Sequence, residues 1–469
     1  MRDTVQCLAA LGLAALMSMA SGCATRPTNR ALDRIDVHQG YRPETHLSAK
    51  RLADTQILIT FSGGGTRAAA FAYGVLEELR RTFVDVQGQS IRILDEVDFI
   101  TGVSGGSFTA LAYGLYGDRL FDEYEQRFLK RDVQSALVQR MLSPVSWGRL
   151  ASSGVGRSEV AADYYDEILF EGATFGDLMQ RQGPLIMPTS TDISTGARLA
   201  FSQADFDAIC SDLAPVRLAR AAATSSAVPV ILSPVTFDNH GGRCGYQPPA
   251  WANDIGQSEA PAGRVIQRQR EMQSFANGLD RPFLHLVDGG VADNLGLRAI
   301  LERFQQAEFS EQFRRQLHIE RLRRTLVIVV NARSDPSTDW DRSERGPTTL
   351  GLLLKSISVP IDRNSYETLE LLRDMMTRWK TTAELNRLRS ASSAKAFDEP
   401  AATRQPGFFY ADVSFDEVAD PTERGRLKAL PTSFSLPVED VDSLRRAASE
   451  TLRNSASFKA FLADIRQNP

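Results

Sequence analysis

The chain is poor in the residues that usually mark a metal or redox centre. Its 469 residues include only 4 Cys and 5 His. No Cys/His cluster has metal-ligand spacing, so no zinc or other metal site is expected. Neither sign of charge dominates, with 54 Lys and Arg against 58 Asp and Glu. Without a basic excess, nucleic acid is not expected as a partner. The body of the chain lacks a run of about 18 apolar residues, which excludes a multi-span membrane protein. Internal repeats are also missing. What remains is a length and apolar content that can bury a large core, as one large domain with additions.

The N-terminus departs from this average. Arg2 precedes an apolar stretch from Cys7 to Ala20, and small residues lead to Ser21-Gly22-Cys23. This is the pattern of a secretory signal, too short and wrongly flanked for a spanning helix. Ala20-Ser21-Gly22-Cys23 also resembles the bacterial lipobox, with Ala20 where leucine is usual. That resemblance implies a signal peptide over 1–22 and lipidation of Cys23. Ala24, rather than Asp, resembles lipoproteins sorted to an outer membrane. The expected location is a membrane anchor facing the periplasm or cell surface; plain cleavage to a soluble periplasmic protein is the alternative. Residues 23–53 are polar, with Pro27 and Pro43, and read as a tether. Export places Cys210 and Cys244 in an oxidising compartment, where a disulfide between them is expected and two buried thiols are the alternative.

Strands and helices then alternate. Gln56–Phe61, Val97–Ile100, Pro184–Asp192, Ala197–Phe201, Phe283–Asp288 and Thr325–Ala332 are apolar runs of strand length. Ala68–Arg80, the stretch after Ser104 and Val216–Ala227 carry helical signals, and Arg264–Asn277 reads as a solvated helix. Leu120–Leu150 is amphipathic and reads either as a cap or as packing. These features predict an α/β fold, a mostly parallel sheet flanked by helices, over 54–335. Beyond it, 336–469 reads as a mainly helical C-terminal extension, with Ser390–Pro406 a mobile connection.

Three strand exits carry special residues. Gly102-Val103-Ser104-Gly105-Gly106 lies between a strand and a helix, the setting of a nucleophile elbow. The pattern alone is common; its setting raises its weight. Ser62-Gly63-Gly64-Gly65-Thr66-Arg67 also joins strand to helix. It matches neither G-x-x-x-x-G-K-[ST] nor G-x-G-x-x-G, so an oxyanion hole fits better than a phosphate loop. Asp288-Gly289-Gly290 ends a third strand, and Asp293 and Asn294 read as residues that hold the following turn.

A serine hydroxyl needs a base. His318, the histidine after Asp288, sits in a polar helical stretch. His285 points to the opposite strand face, His38 and His46 lie in the tether, and His240 lies in a loop. None makes a convincing triad member.

Taken together, Gly63-Gly64-Gly65-Thr66-Arg67, Gly102-Val103-Ser104-Gly105-Gly106 and Asp288-Gly289-Gly290 resemble the patatin-like phospholipase family over roughly 55–335. The resemblance implies a cofactor-free Ser–Asp dyad that cleaves acyl esters of lipids of the phospholipase A or lysophospholipase type through an acyl-enzyme. Ser104 would be the nucleophile and Asp288 its base. Gly63, Gly64 and Gly65 would form the oxyanion hole, with Arg67 supporting the loop and Gly102, Gly106, Gly289 and Gly290 as motif glycines. Ala68 departs from the family, which usually has glycine there. An acyltransferase on the same dyad and a non-catalytic lipid- or partner-binding lipoprotein are the alternatives.

Overall fold

The computed structural model describes residues 26–43, 45–46, 50–150, 155–249, 263–316, 319–336, 338–392 and 407–468. The signal segment, Cys23, His318 and most of Ser390–Pro406 lie outside the described residues.

The strands are β1 (Thr55–Phe61), β2 (Phe83–Val86), β3 (Gln89–Arg92), β4 (Phe99–Gly102), β5 (Leu185–Asp192), β6 (Arg198–Ala200), β7 (Val235–Asp238), β8 (Phe283–Asp288), β9 (Arg324–Asn331) and β10 (Gly407–Ser414). Among the described residues an eight-stranded sheet runs in the order β10-β9-β1-β4-β5-β8-β7, with β6 also on β5. β10, β9, β1, β4 and β5 are parallel. β1 and β9 are buried almost throughout, as expected of strands covered on both faces.

The helices used below are α1 (Gly65–Arg81), α2 (Gly105–Tyr116), α3 (Leu218–Ser225), α4 (Gly263–Phe275), α5 (Arg298–Phe309), α6 (Thr349–Ser392), α7 (Val438–Asn454) and α8 (Ala456–Gln467). The sheet is thus mostly parallel and flanked by helices, with a mainly helical C-terminal part.

β8 departs from the parallel expectation. β5 overshoots β4, with Pro188 opposite Gly102, and its projecting end pairs antiparallel with β8, Ser190 opposite Asp288. β8 therefore runs back toward the sheet and delivers Asp288 to the carboxyl edge from the opposite direction.

The C-terminal part is built into the core rather than appended to it. It supplies β10, which pairs with the whole length of β9, a strand the sequence reading does not identify. α7 lies so close to α1 that a Cβ at Gly74 would meet the Arg445 carbonyl oxygen at 2.2 Å. Ion pairs Arg445–Glu77 and Arg453–Glu78 join the two helices, and Phe461 of α8 packs edge-on against Phe409 of β10.

The segment read as a tether is, from Arg26 to Arg42, laid on the domain. Arg26 pairs with Asp238, Asn29 donates to Ser211 Oγ at 2.7 Å, and Arg42 pairs with Asp207 at 3.0 Å. Tyr41 is buried, and its hydroxyl accepts the Ile186 N–H at 2.7 Å. Paired charges and one buried ring hold a segment whose average composition is that of a linker.

Helix α4 is also only partly solvated: Val265, Arg268, Met272 and Phe275 are buried.

Cys210 and Cys244 are bonded as a disulfide, 34 residues apart in sequence. Closing a loop of that length limits the unfolded chain by about 3–4 kcal/mol. Cys210→Ser/Cys244→Ser protein should lose about that much unfolding free energy, and urea titration at fixed pH would measure it; a loss under about 1 kcal/mol would contradict the loop-closure account.

Candidate active site

Ser104 sits between β4 and α2 with φ 49° and ψ −121°. Such a left-handed non-glycine residue costs about 1–3 kcal/mol unless its surroundings enforce it. Here they do: the Ser104 N–H donates to Ser225 Oγ at 3.0 Å. The C-terminal end of α3 holds the other half of the site as well. The Asp288 N–H donates to Ala227 O at 3.0 Å and the Gly289 N–H to Ser225 O at 3.2 Å. Ser225 is thus a positioning residue for both functional side chains. Nothing in its own small-residue helix announces this.

The glycines allow close approach. A Cβ at Gly105 would fall 2.0 Å from Gly65 O, so elbow and glycine loop are packed backbone to backbone. Cβ atoms at Gly102, Gly106 and Gly289 would meet neighbouring backbone at 2.7, 2.6 and 2.4 Å, and one at Gly290 would meet Asn294 Oδ1 at 2.8 Å.

Within the glycine loop the three residues do different work. The Gly63 N–H donates to Asn294 O at 2.9 Å. It is therefore spent on holding the turn after Asp288, which corrects its expected place among the oxyanion donors. The N–H groups of Gly64 and Gly65 have no hydrogen-bond partner among the described residues. They remain the candidate donors. Arg67 is buried and fully engaged: Nε donates to Ala332 O at 2.8 Å, Nη1 to Leu430 O, and Nη2 to Thr432 Oγ1 at 3.0 Å. Burial lowers its pKa to about 10, opposed by the charge of Asp362. Arg67 ties the loop to the β9 exit and to the 430–433 segment. That segment was not expected at the site; the Thr66 N–H donates to Ser433 O at 2.8 Å.

Asp288 is buried, and its Oδ1 accepts the Gly290 N–H at 2.7 Å. Burial pushes its pKa up to about 6, against the opposing pull of the Gly290 N–H and of the Ser104 hydroxyl that lies against it. Asp293 accepts the N–H groups of Leu297 at 3.3 Å and Arg298 at 2.8 Å, fixing the turn that follows.

Ser104 and Asp288 open into a cleft of about 500 Å³. Leu354, Ile357 and Ile361 of α6 line the cleft with Val228 and Pro229 as its apolar part, and Arg333 and Lys355 bring positive charge that Asp362 and Asp335 partly balance. Among the described residues none of Leu120–Leu150 lines it; Gln134 reaches only the neighbouring Ser433 and Phe434, and α6 provides the wall. Among the described residues no histidine lines the cleft: His46 bonds Gly183 O, His240 bonds Asn29 O, and His285 bonds Thr236 Oγ1. Nor does any group of three or more His, Cys, Asp or Glu among them offer a metal site.

Residues 59–301, over half of the chain, match the model of the family described as "Patatin-like phospholipase". The chain belongs to the patatin-like phospholipase family.

No curated protein matches it. Solved structures similar to this patatin-like chain include human GIVD cytosolic phospholipase A2, at 13% identity and a TM-score of 0.43, covering 87% of this chain and 59% of that one. VipD from Legionella pneumophila follows, at 11% identity and a TM-score of 0.24, covering 92% and 73%. The chain thus spans about three fifths of the length of the human enzyme.

The patatin-like chain brings the Ser104 hydroxyl against a buried carboxylate, with the glycine loop lining the same cleft; acyl transfer requires such a hydroxyl and base. Asp288 accepts a proton only when ionised. kcat/KM for an uncharged ester should therefore rise with pH through about 6 and level off above it. A rate profile that stays flat between about pH 4.5 and 8.5 would remove Asp288 from the role of base.

Proposed function

We propose that the protein is a lipid acyl hydrolase of the phospholipase A or lysophospholipase type. One observation carries this reading: Ser104, strained and held by Ser225, lies against a buried carboxylate whose pKa is raised to about 6. Ser104 Oγ attacks the ester carbonyl while Asp288 takes its proton. The new C–O bond forms as the carbonyl π pair moves onto oxygen, facing the N–H groups of Gly64 and Gly65. Collapse expels the alcohol, which takes the proton back from the carboxyl group of Asp288. Water, deprotonated by the same carboxylate, then releases the fatty acid and regenerates Ser104.

A Ser–Asp pair suits this cycle because the base is neutralised, not left as a buried cation, when it holds the proton. The apolar wall of α6 suits an acyl chain, and the cations Arg333 and Lys355 suit a phosphate-bearing head group. Full-length protein, Ser104→Ala and Asp288→Ala would be compared on a short-chain p-nitrophenyl ester and on phospholipid micelles. Loss of hydrolysis in both variants is expected; equal rates in all three would overturn the dyad. Adding an alcohol acceptor to the assay separates hydrolysis from acyl transfer.

The proposal extends to location. Lipidation of Cys23 would hold the cleft against its substrate. Among the described residues no helix is long and apolar enough to cross a membrane. The attachment proposed is through acyl chains on Cys23, each buried CH₂ contributing about 0.8 kcal/mol. Cys23→Ala should move the protein from the membrane to the soluble fraction on cell fractionation; unchanged membrane recovery would refute the anchor.

A further inference from the structure

A second cavity, of about 350 Å³, shares no lining residue with the catalytic cleft. Arg198, Arg264, Arg268 and Arg298 all reach it. Arg268 is committed, donating to Asp205 Oδ2 at 2.7 Å and to Arg198 O at 2.7 Å. Arg198 is only half committed. Its Nη2 donates to Glu302 Oε2 at 2.6 Å, but Nε and Nη1 are buried without a hydrogen-bond partner, although the residue is only 6% exposed. A buried guanidinium edge left bare is a costly arrangement unless something occupies it.

The neighbouring charges point to the sign of the occupant. Among the described residues no carboxylate lies within ion-pair distance of the Arg264 or Arg298 guanidinium, and the charge of Arg298 acts on buried Asp293. Partial desolvation at the rim and the like charges of Arg298 and Arg378 lower the Arg264 pKa. Glu302 and Glu271 on the lining are taken by Arg198 and Arg268, and Glu367 is exposed. Gln305, buried on the same wall, has an amide oxygen with no partner. The site therefore offers several N–H donors and, beside the carboxylates of Glu271, Glu302 and Glu367, one buried acceptor without a partner. A hydrogen phosphate group presents the matching set, several acceptor oxygens and one P–OH donor.

We propose that this cavity is a binding site for a phosphate group, seated on the bare edge of Arg198 between Arg264 and Arg298, with its P–OH on Gln305. Arg298 connects the site to the catalytic turn. Its N–H donates to Asp293 Oδ2 at 2.8 Å, its Nη2 to Asn364 Oδ1 at 2.6 Å, and Asn364 Nδ2 reaches Ala292 O at 3.0 Å. The group is free phosphate or the head group of a lipid, and the two are separable.

The test is calorimetric titration of full-length Ser104→Ala protein, which cannot turn over, with inorganic phosphate and, separately, with water-soluble dibutyryl phosphatidic acid. Saturable binding at this cavity is expected for at least one probe and is recognised as the component that Arg264→Ser weakens, separate from filling of the catalytic cleft by the lipid; the probe bound more tightly in that component names the source. Arg264 lies at the exposed rim, so Arg264→Ser should fold normally and weaken that binding roughly tenfold or more. Lys355→Ser, in the catalytic cleft, should leave it unchanged. No saturable binding of either probe would overturn the proposal. So would binding that is lost in Lys355→Ser and kept in Arg264→Ser, since the phosphate would then occupy the catalytic cleft.

Discussion

Asp288→Asn should lower ester hydrolysis by roughly 10³–10⁴-fold and, at pH 8, make the protein more stable by about 1–3 kcal/mol. The two effects have one cause. Burial raises the Asp288 pKa to about 6 in the folded state, against about 3.9 in an unfolded chain. The folded state therefore holds this proton more tightly. The favourable contribution is complete below about pH 3.9 and is lost as pH rises through about 6. At pH 8 the protein carries a buried ionised carboxylate, and a shift of about two units corresponds to roughly 3 kcal/mol. Asparagine keeps an acceptor for the Gly290 N–H, which lies 2.7 Å from Asp288 Oδ1, and never ionises. It also cannot accept the serine proton. Urea titrations of both proteins at pH 8 and at about pH 4.5 would check this. The variant's advantage should be present at the higher pH and shrink at the lower. An equal difference at both values would show that the carboxylate is not held at a cost.

Gly65→Ala should lower kcat by roughly 10²–10³-fold with a much smaller effect on KM. Gly65 has φ +60°, and a Cβ there would fall 2.3 Å from Ser433 O. The neighbour is backbone and cannot swing away. It is also the acceptor for the Thr66 N–H at 2.8 Å, so relief requires moving the 430–433 segment or the loop itself. Either displaces the Gly64 and Gly65 N–H groups from the point where charge develops on the carbonyl oxygen. That loss is felt in the transition state more than in substrate binding, hence in kcat. An unchanged kcat would mean that this loop is not the oxyanion hole.

How far the sequence exposes this machine depends on how local each signal is. β1 and β9 are legible because a strand buried on both faces is a continuous apolar run, as in Ile57–Phe61 and Leu326–Val330. β10 is missed because an edge strand carries mixed residues, Gly407-Phe408-Phe409-Tyr410-Ala411-Asp412, with no clean period. Ser104, Asp288 and the glycine loop stand out because each exit needs glycine beside a chemically specific residue. Their supports do not. Ser225 contacts the Ser104 N–H across 121 residues, and Leu430 meets Arg67 across 363. Such contacts leave no mark on the neighbouring residues. The direction of β8 is equally hidden: Phe283–Asp288 looks the same whether it pairs parallel or antiparallel, and only the overshoot of β5 decides it. Gly63 shows the opposite limit. Its motif is legible, but the use of its N–H is set by Asn294, more than two hundred residues away.

Labelling of the full-length protein with an alkyl fluorophosphonate, followed by peptide mass analysis, tests Ser104 as the nucleophile. Attack by the activated hydroxyl displaces fluoride and leaves a phosphonyl ester on the nucleophile. One adduct is expected, on Ser104, formed in step with loss of esterase activity, slowed at pH below about 6 and absent from Ser104→Ala. An adduct on another residue, or full inhibition with Ser104 unmodified, would contradict it.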